Sequence, residues 1–339
     1  MKFAIIGCGI WGRNYVRVLS ELEHSNLLYV CDKDESKLKE FSRIYKVRTT
    51  TKLNEVLEDN EVQAVIIATN PASHFTIAKE CLAYDKHILV EKPLTDSVET
   101  SEELVKLAKE KNKTLMVGHT FIYNNAIKKL KEYIENKDIG DVHYLTAKRN
   151  NLGPIRSDVN ALYDLATHDI SIFLYLMNSL PKQVIANGGS FIQKQSEIED
   201  FVNIFLEFEN GVKATIEASW LSPKKVREIT LVGSKKMIVF DDMSPDKLTV
   251  FSKGAEAAKT VDYSNLEYKD YHVTLMDGDI LLPKIKVPEP LKEQVLHFIE
   301  SIKSSKEPIT NGQNAIDVLK VLEAAQKSLK NNGEKVEIK

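Results

Sequence analysis

A strand-forming run that ends in three spaced glycines constrains this chain more than any other feature. Phe3-Ala4-Ile5-Ile6 leads into Gly7-Cys8-Gly9-Ile10-Trp11-Gly12, and helical spacing follows as far as Leu19. In a strand–turn–helix setting, GxGxxG permits a tight turn, a close approach of backbone to a pyrophosphate, and close helix–strand packing. The start of the helix, at Ile10 and Trp11, adds N–H groups without intrahelical acceptors and a positive dipole end. The next apolar run, residues 27–31, ends at Asp32, about 20 residues beyond Gly12, the spacing of a carboxylate that holds an adenosine ribose. Asp32 repels a 2′-phosphate and so favours NAD over NADP, while Lys33 beside it blunts that preference. A glycine-rich turn beside an N-capping aspartate is the plain alternative.

The pattern then alternates. Residues 35–45 carry helical spacing, 48–51 read as a short strand, and 62–69 form an apolar strand ending at Thr69-Asn70-Pro71, with Ser73 placed to cap the next helix. His87-Ile88-Leu89-Val90 is too short for a typical helix and reads as a strand buried on both faces. Pro93 should end that strand, leaving Glu91 and Lys92 at its carboxyl end. A helix over 98–111 and a strand over 114–117, ending at Gly118-His119, complete the series. Strand–helix alternation of this length predicts an α/β fold with a doubly wound parallel sheet. Ligands of such sheets lie outside the carboxyl ends of the strands. Thr69, Asn70, Glu91 and Lys92 therefore join the glycines and Asp32 as expected cofactor contacts; a surface ion pair is the plain reading of Glu91-Lys92.

At 339 residues the chain exceeds one comfortable core. The expected division is 1–120 for the nucleotide domain, 121–288 for a substrate-binding and oligomerisation domain, and 289–339 for closing helices. After a helix over 125–136, residues 142–149 read as a strand, 150–160 as a polar loop, and 162–177 as a helix. Strand-like runs follow at 183–191, 201–208, 212–219, 226–231, 237–240 and 247–251, with Glu209-Asn210-Gly211 as a hairpin turn. Strands without intervening helices predict an α+β second domain with a mostly antiparallel open sheet. Trp220 and its aromatic neighbours are read as core, with an oligomer face as the alternative. Helices over 289–304 and 314–330 close the chain.

The net charge of −3 gives no basic excess for nucleic acid, and no apolar run reaches membrane-spanning length. A strand that begins at Lys2 leaves no room for a signal peptide, so a cytoplasmic protein is expected. Cys8, Cys31 and Cys81 lack CxxC spacing and read as buried free thiols. His24, His74, His143, His272 and His297 have no ligand spacing, and no metal site is expected.

On residues 7–12, Asp32, Glu91-Lys92-Pro93 and Gly118-His119-Thr120-Phe121, the chain resembles the glucose–fructose oxidoreductase/inositol dehydrogenase (Gfo/Idh/MocA) family. Within it, Gly9-Ile10-Trp11-Gly12-Arg13-Asn14, Arg149-Asn150-Asn151-Leu152-Gly153 and Asp164-Leu165-Ala166-Thr167-His168-Asp169 look most like bacterial UDP-N-acetylglucosaminuronic acid 3-dehydrogenases. Asn125, where many such sequences have proline, and Ser171, where the broader family often has aspartate, depart from the pattern. The resemblance implies a Rossmann domain, closing helices that pack back near it, and a homodimer or homotetramer.

Asp164 and His168 are four apart on an expected helix and so share a face. A carboxylate that orients an imidazole fixes its tautomer, and a solvated Asp–His pair is the plain alternative. The resemblance pairs this Asp-x-x-x-His with Lys92, which makes Lys92, His168 and Asp164 the expected catalytic and substrate-contacting set. The expected reaction is oxidation of a secondary hydroxyl of a small molecule, with hydride passing to nicotinamide. Lys92 or His168 takes the proton, and the lysine amine must titrate below its usual value of about 10.4 to do so. Glu91 is expected to hold the nicotinamide ribose. Arg149, Asn151 and Arg156 suit an anionic nucleotide sugar, since a guanidinium fork matches phosphate or carboxylate, with solvated loop charges as the alternative. Two further readings stay open. One is a free-sugar or polyol dehydrogenase; the other is a dinucleotide sensor without catalysis, which would have no use for Lys92 and His168.

Overall fold

The computed structural model describes residues 1–23, 25–194, 198–257 and 273–339; His24 and His272 lie outside the described residues. Two compact units divide the chain, Met1–Asn124 with Pro288–Lys320, and Asn125–Val287 with Val321–Lys339.

The first unit is built on strands β1 (Lys2–Ile6), β2 (Asn26–Cys31), β3 (Arg48–Thr50), β4 (Ala64–Ile67), β5 (His87–Val90) and β6 (Leu115–Val117). They form a parallel sheet in the order β3-β2-β1-β4-β5-β6, the doubly wound arrangement expected from the alternation. Because side chains alternate along a strand, each strand feeds two cores. Phe3, Ile5, Ala64, Ile66, Leu89 and Met116 enter one; Ala4, Ile6, Val65, Ile67, Ile88, Val90, Leu115 and Val117 enter the other. Between the strands run α1 (Ile10–Glu21), α2 (Glu35–Tyr45), α3 (Leu53–Leu57), α4 (His74–Ala83) and α5 (Val98–Glu110). Helix α1 buries Tyr15, Val16, Val18 and Leu19 on the first core. The cap before α4 differs from expectation. Asn70, not Ser73, accepts from the Ala72 N–H and starts a 3₁₀ turn that runs into the helix, while the Ser73 hydroxyl donates back to Asn70 O.

In the second unit, α6 (Asn125–Glu135) precedes β7 (Val142–Leu152), a π-helical turn over Leu162–Ala166, and α7 (Thr167–Met177). There follow β8 (Pro181–Gly189), β9 (Phe201–Phe208), β10 (Lys213–Ser219), β11 (Leu221–Gly233), β12 (Met237–Asp241), β13 (Leu248–Phe251), β14 (Gly254–Ala257), β15 (Val273–Met276) and β16 (Ile280–Leu281). A nine-stranded sheet has the order β16-β13-β12-β11-β7-β10-β9-β8-β17, where β17 is Val336–Glu337. Its pairs are antiparallel except β7 with β10. The β9–β10 hairpin turns at Gly211, whose φ of +84° supplies the left-handed residue that the Asn-Gly pair announced. Strand β7 runs three residues beyond its expected end, and β11 starts five residues early across a register shift between Leu221 and Val226. A bulge of this kind interrupts the alternation that a sequence reading follows. Trp220 is buried in this unit, so core is its place.

Segment 289–339 does not stand as a body of its own. Helix α8 (Pro290–Ser304) places Leu291, Val295, Phe298 and Ile299 in the first unit's core. Helix α9 (Gly312–Lys330) passes from the first unit to the second at Val321, and β17 then adds an edge strand to the second sheet.

Candidate functional site

The turn between β1 and α1 gives each glycine a different task. Gly7 has φ +95°, and a Cβ there would stand 2.6 Å from Ala68 O. A Cβ on Gly12 would stand 1.9 Å from Gly7 O, so helix and turn can approach this closely only without a side chain. A Cβ on Gly9 would meet nothing within 4 Å, leaving the backbone open to a ligand. Helix α1 begins there without a side-chain cap and without an acidic residue in its first turn, so its positive end is left for an anion. Ile10 and Trp11 stand exposed beside it. At the end of β2, Asp32 is fixed by two backbone donors: Cys8 N–H to Oδ2 (2.7 Å) and Asp34 N–H to Oδ1 (2.9 Å). Lys37 Nζ lies 3.9 Å from Oδ1. The sequence reading pointed to Lys33 as the cation that tempers Asp32; the lysine one turn into α2 holds that place. An uncapped helix start, an open glycine and an anchored carboxylate fit the pyrophosphate and ribose of a dinucleotide.

Beyond β4, Thr69 Oγ1 lies 2.8 Å from Ser73 Oγ, within hydrogen-bond distance. The buried His74 ring ties this turn to the next strand end, with Nδ1 2.8 Å from Pro93 O and Nε2 3.2 Å from Thr69 O. Burial holds its pKa below the usual imidazole value although both carbonyls favour the cation. Buried and engaged at both ring nitrogens, it braces the two strand ends.

The end of β5 carries a chain of buried hydrogen bonds. Glu91 is turned inward: Tyr15 Oη–H donates to Oε1 (2.7 Å) and the Lys92 amide to Oε2 (3.1 Å). Gln294 of α8 donates to Tyr15 Oη (2.9 Å) and accepts from Thr120 Oγ1 (2.7 Å). Gly118 leaves the space that Glu91 occupies, since a Cβ there would stand 2.9 Å from Oε1. Burial pushes the Glu91 carboxyl above its usual range, and the Tyr15 hydroxyl and the Lys92 charge pull it back. Burial and the Glu91 charge push Tyr15 upward in turn. Glu91 thus anchors the backbone N–H of Lys92, the residue whose bond to Pro93 is cis. The Lys92 side chain is half-buried. Thr120 belonged to a quoted motif without a role, and no sequence signal pointed to Tyr15 or to Gln294, which lies 174 residues beyond Thr120.

In the second unit Asp164 occupies the π-helical turn, a rare geometry that is frequent at functional sites. Its carboxylate accepts from Trp220 Nε1 at 3.2 Å and from Arg156 Nη1 at 3.2 Å. Arg156 also grips Asp158 through Nε and Nη2 at 2.9 and 2.6 Å. The structure thus brings together two expected substrate residues, Arg156 and Asp164, and adds Trp220, buried and without a signal in its sequence neighbourhood. His168 is half-buried in the first turn of α7. Its carbonyl accepts from the Ser171 hydroxyl at 2.7 Å, which is what this departure from the family pattern does here. The other departure, Asn125, donates from Nδ2 to Lys286 O at 3.0 Å.

Arg149 corrects the sequence reading. It is 3% exposed and forms a two-point pair with Asp169, Nε to Oδ2 at 2.7 Å and Nη2 to Oδ1 at 2.9 Å. A fork already filled by a buried carboxylate is not open to a substrate phosphate. Nearby, Arg227 is held below the usual guanidinium range by burial and by the Arg149 charge. Asn151 is half-buried near the end of β7.

Family comparison agrees with this geometry. The NAD-binding Rossmann-fold model of the Gfo/Idh/MocA oxidoreductase family matches residues 1–119, and the model of the family's C-terminal domain matches residues 127–239, together more than half of the chain. A myo-inositol 2-dehydrogenase of Thermotoga maritima is 24% identical over 97% of this chain and 96% of its own. A UDP-N-acetylglucosamine 3-dehydrogenase of Acidithiobacillus ferrooxidans is 26% identical over 75% of this chain and 78% of its own. In fold, the chain is similar to GenD2 from gentamicin A biosynthesis, solved in complex with NAD, with a TM-score of 0.84, 22% identity, and coverage of 100% of this chain and 96% of that one. A dinucleotide cradle in a six-stranded doubly wound sheet, followed by the family's own second domain, makes this chain a member of the Gfo/Idh/MocA family, an NAD-dependent oxidoreductase.

Proposed function

We propose that the protein oxidises a secondary hydroxyl, at C3, of a nucleotide sugar such as UDP-N-acetylglucosaminuronic acid. Bound NAD supplies the hydride acceptor. Lys92 takes or relays the hydroxyl proton and His168 shares that work, the roles that the family resemblance gives them. The observation that carries the reading is the anchoring of Lys92. A buried carboxylate, held by a tyrosine that a glutamine braces in turn, fixes the lysine's backbone at the carboxyl end of β5. Such support is what an acid–base group needs to keep its geometry. Asp164 and Arg156 offer a polar pair for a sugar carboxylate or phosphate, with Asn151 beside them in sequence. The nucleotide-sugar assignment draws on the relative that acts on UDP-N-acetylglucosamine. The reading includes a cytoplasmic homodimer or homotetramer, which light scattering would size. Among the described residues, no helix is long and apolar enough to cross a membrane.

The engagement of Arg149 with Asp169 removes one expected phosphate contact and favours a second reading, a free polyol such as inositol. Initial rates with NAD and each of UDP-N-acetylglucosaminuronic acid, UDP-N-acetylglucosamine, glucose and myo-inositol separate the two. A kcat/KM for a nucleotide sugar at least tenfold above that for the free polyols supports the first; the reverse order replaces it with the second.

A further inference from the structure

Trp220 joins β10 to β11, and among the described residues it is the bulkiest side chain that is fully enclosed, at 1% exposed. A buried indole N–H needs an acceptor, and a backbone carbonyl would serve. Here Nε1 donates instead to Oδ2 of Asp164 at 3.2 Å, the carboxylate to which the proposed reaction gives a part. That side chain is itself only 20% exposed. Withdrawing a charge from water costs more than withdrawing a neutral acceptor, so satisfying the indole does not account for the pairing.

Each partner is anchored separately. The Trp220 amide donates to Asp200 O at 3.0 Å. Asp200 is fully buried, and its carboxylate accepts from the amides of Phe191 and Ile192 at 2.9 and 2.7 Å, so the indole projects from a fixed backbone. The π-helical turn that carries Asp164 is tied down at Asn160. Its carbonyl accepts from the Asp164 amide at 3.0 Å, and its side chain donates to Glu199 Oε2 and Gln326 Oε1 at 2.7 Å each. Helical turn and strand end therefore meet at one hydrogen bond, indole to carboxylate. Arg156 takes the other oxygen, Oδ1, at 3.2 Å. With one donor on each oxygen, rotation about Cβ–Cγ would break both bonds, so the plane of the carboxylate is set. Of the two donors the indole is the rigid one, because the Arg156 side chain is 36% exposed and shared with Asp158.

We infer that Trp220 is a positioning residue for the reaction: its indole N–H holds the Asp164 carboxylate in the orientation that receives the substrate's hydroxyl. A carboxylate is acceptor-only, with sites for about four donors, so a hydroxyl can join the guanidinium and the indole on it. A misplaced carboxylate loses that bond even where the fold survives. The inference rests on the catalytic reading of Asp164.

Site-specific incorporation of 3-benzothienylalanine at position 220 keeps the shape of the indole and puts sulfur where the N–H was. Rates are measured with NAD and whichever of UDP-N-acetylglucosaminuronic acid and myo-inositol the wild type oxidises, in wild-type and Asp164→Asn backgrounds. Should the Asn variant turn over too slowly to measure, calorimetric binding of the sugar to the NADH complex fills the same cycle. The isostere should lower kcat/KM for the sugar roughly tenfold, the worth of a hydrogen bond to a charged group, and leave NADH affinity as in wild type. In the Asn background it should cost less than about twofold more. Unchanged kcat/KM overturns the inference, as does an equal loss in both backgrounds, the mark of an indole that acts only through packing. If the isostere protein misfolds, Trp220→Phe is scored in the same way, and misfolding of both also overturns the inference and assigns the indole a structural role. An Asp164→Asn protein as active as wild type, or a wild type inactive with both substrates, would instead remove the catalytic reading, and the inference with it.

Discussion

Replacing Arg149 by methionine separates a structural cation from a substrate-binding one. The side chain and its partner Asp169 are both nearly fully buried, and two hydrogen bonds join them. Removing one member of a buried pair leaves an uncompensated charge, at a cost of about 3–5 kcal/mol. Arg227 feels the Asp169 charge and offers partial compensation, which puts the expected loss near the lower end, about 3 kcal/mol. For a unit of this size that corresponds to a Tm lowered by roughly 6–12 °C. Methionine keeps most of the aliphatic stem, so the loss reports charge rather than a cavity. Adding Asp169→Leu should recover most of it, since an apolar pair of similar volume often equals a buried ion pair. Thermal denaturation of the two variants and wild type, with KM for the nucleotide sugar measured in parallel, tests this. A single variant with unchanged Tm and a tenfold higher KM would refute the reasoning and return Arg149 to the substrate.

Gly9→Ala should fold with stability within about 1 kcal/mol of wild type, because its Cβ enters open space and the poorer helix cap offsets the reduced freedom of the unfolded chain. It should nevertheless bind NAD more weakly; Gly12→Ala, forced against Gly7 O, should lose about 1–3 kcal/mol in urea denaturation as well. Asp32→Ala should weaken NAD binding and narrow the preference over NADP; unchanged affinities for both would remove Asp32 from the cofactor site. Unfolded histidine takes up its proton near pH 6.5 and folded His119, pushed down by burial and the Lys92 charge, only near 3. Between those values the unfolded state gains a proton that the native state does not, so stability falls as pH falls, by up to about 1.4 kcal/mol per pH unit. His119→Phe should flatten the denaturation profile across that window, and parallel profiles would contradict that shift.

Local signals carried the first unit and longer-range contacts carried what the sequence concealed. Alternating apolar runs with glycine and proline stops fixed β1, β4 and β5, since each strand feeds two buried faces and admits no polar break. The glycine turn and Asp32 were legible because their geometry depends on spacing within one supersecondary unit. Glu91, by contrast, was placed at the right strand end, but its partners were not legible. Its inward turn depends on Tyr15, Gly118 and Gln294, which lie far apart in sequence. Arg149 misled for the same reason: a guanidinium in a polar segment looks available until Asp169, twenty residues on, is seen to fill it. The π-turn at Asp164 leaves no mark in hydrophobic periodicity, and strands of two to four residues such as β14 to β17 are too short to show any. His119 was in view as part of a motif, yet that neither ring nitrogen has a hydrogen-bond partner among the described residues is a property only of the packed structure.

The account stands most directly on Lys92. Purified wild type and Lys92→Ala, each supplied with NAD, are offered UDP-N-acetylglucosaminuronic acid and then myo-inositol while the absorbance of reduced nicotinamide is followed. NADH binding to both proteins is measured alongside. Reduction by wild type with the nucleotide sugar, lost in a Lys92→Ala protein that still binds NADH, is the predicted result. Equal rates in the two proteins, or no reduction with any sugar or polyol, would contradict it.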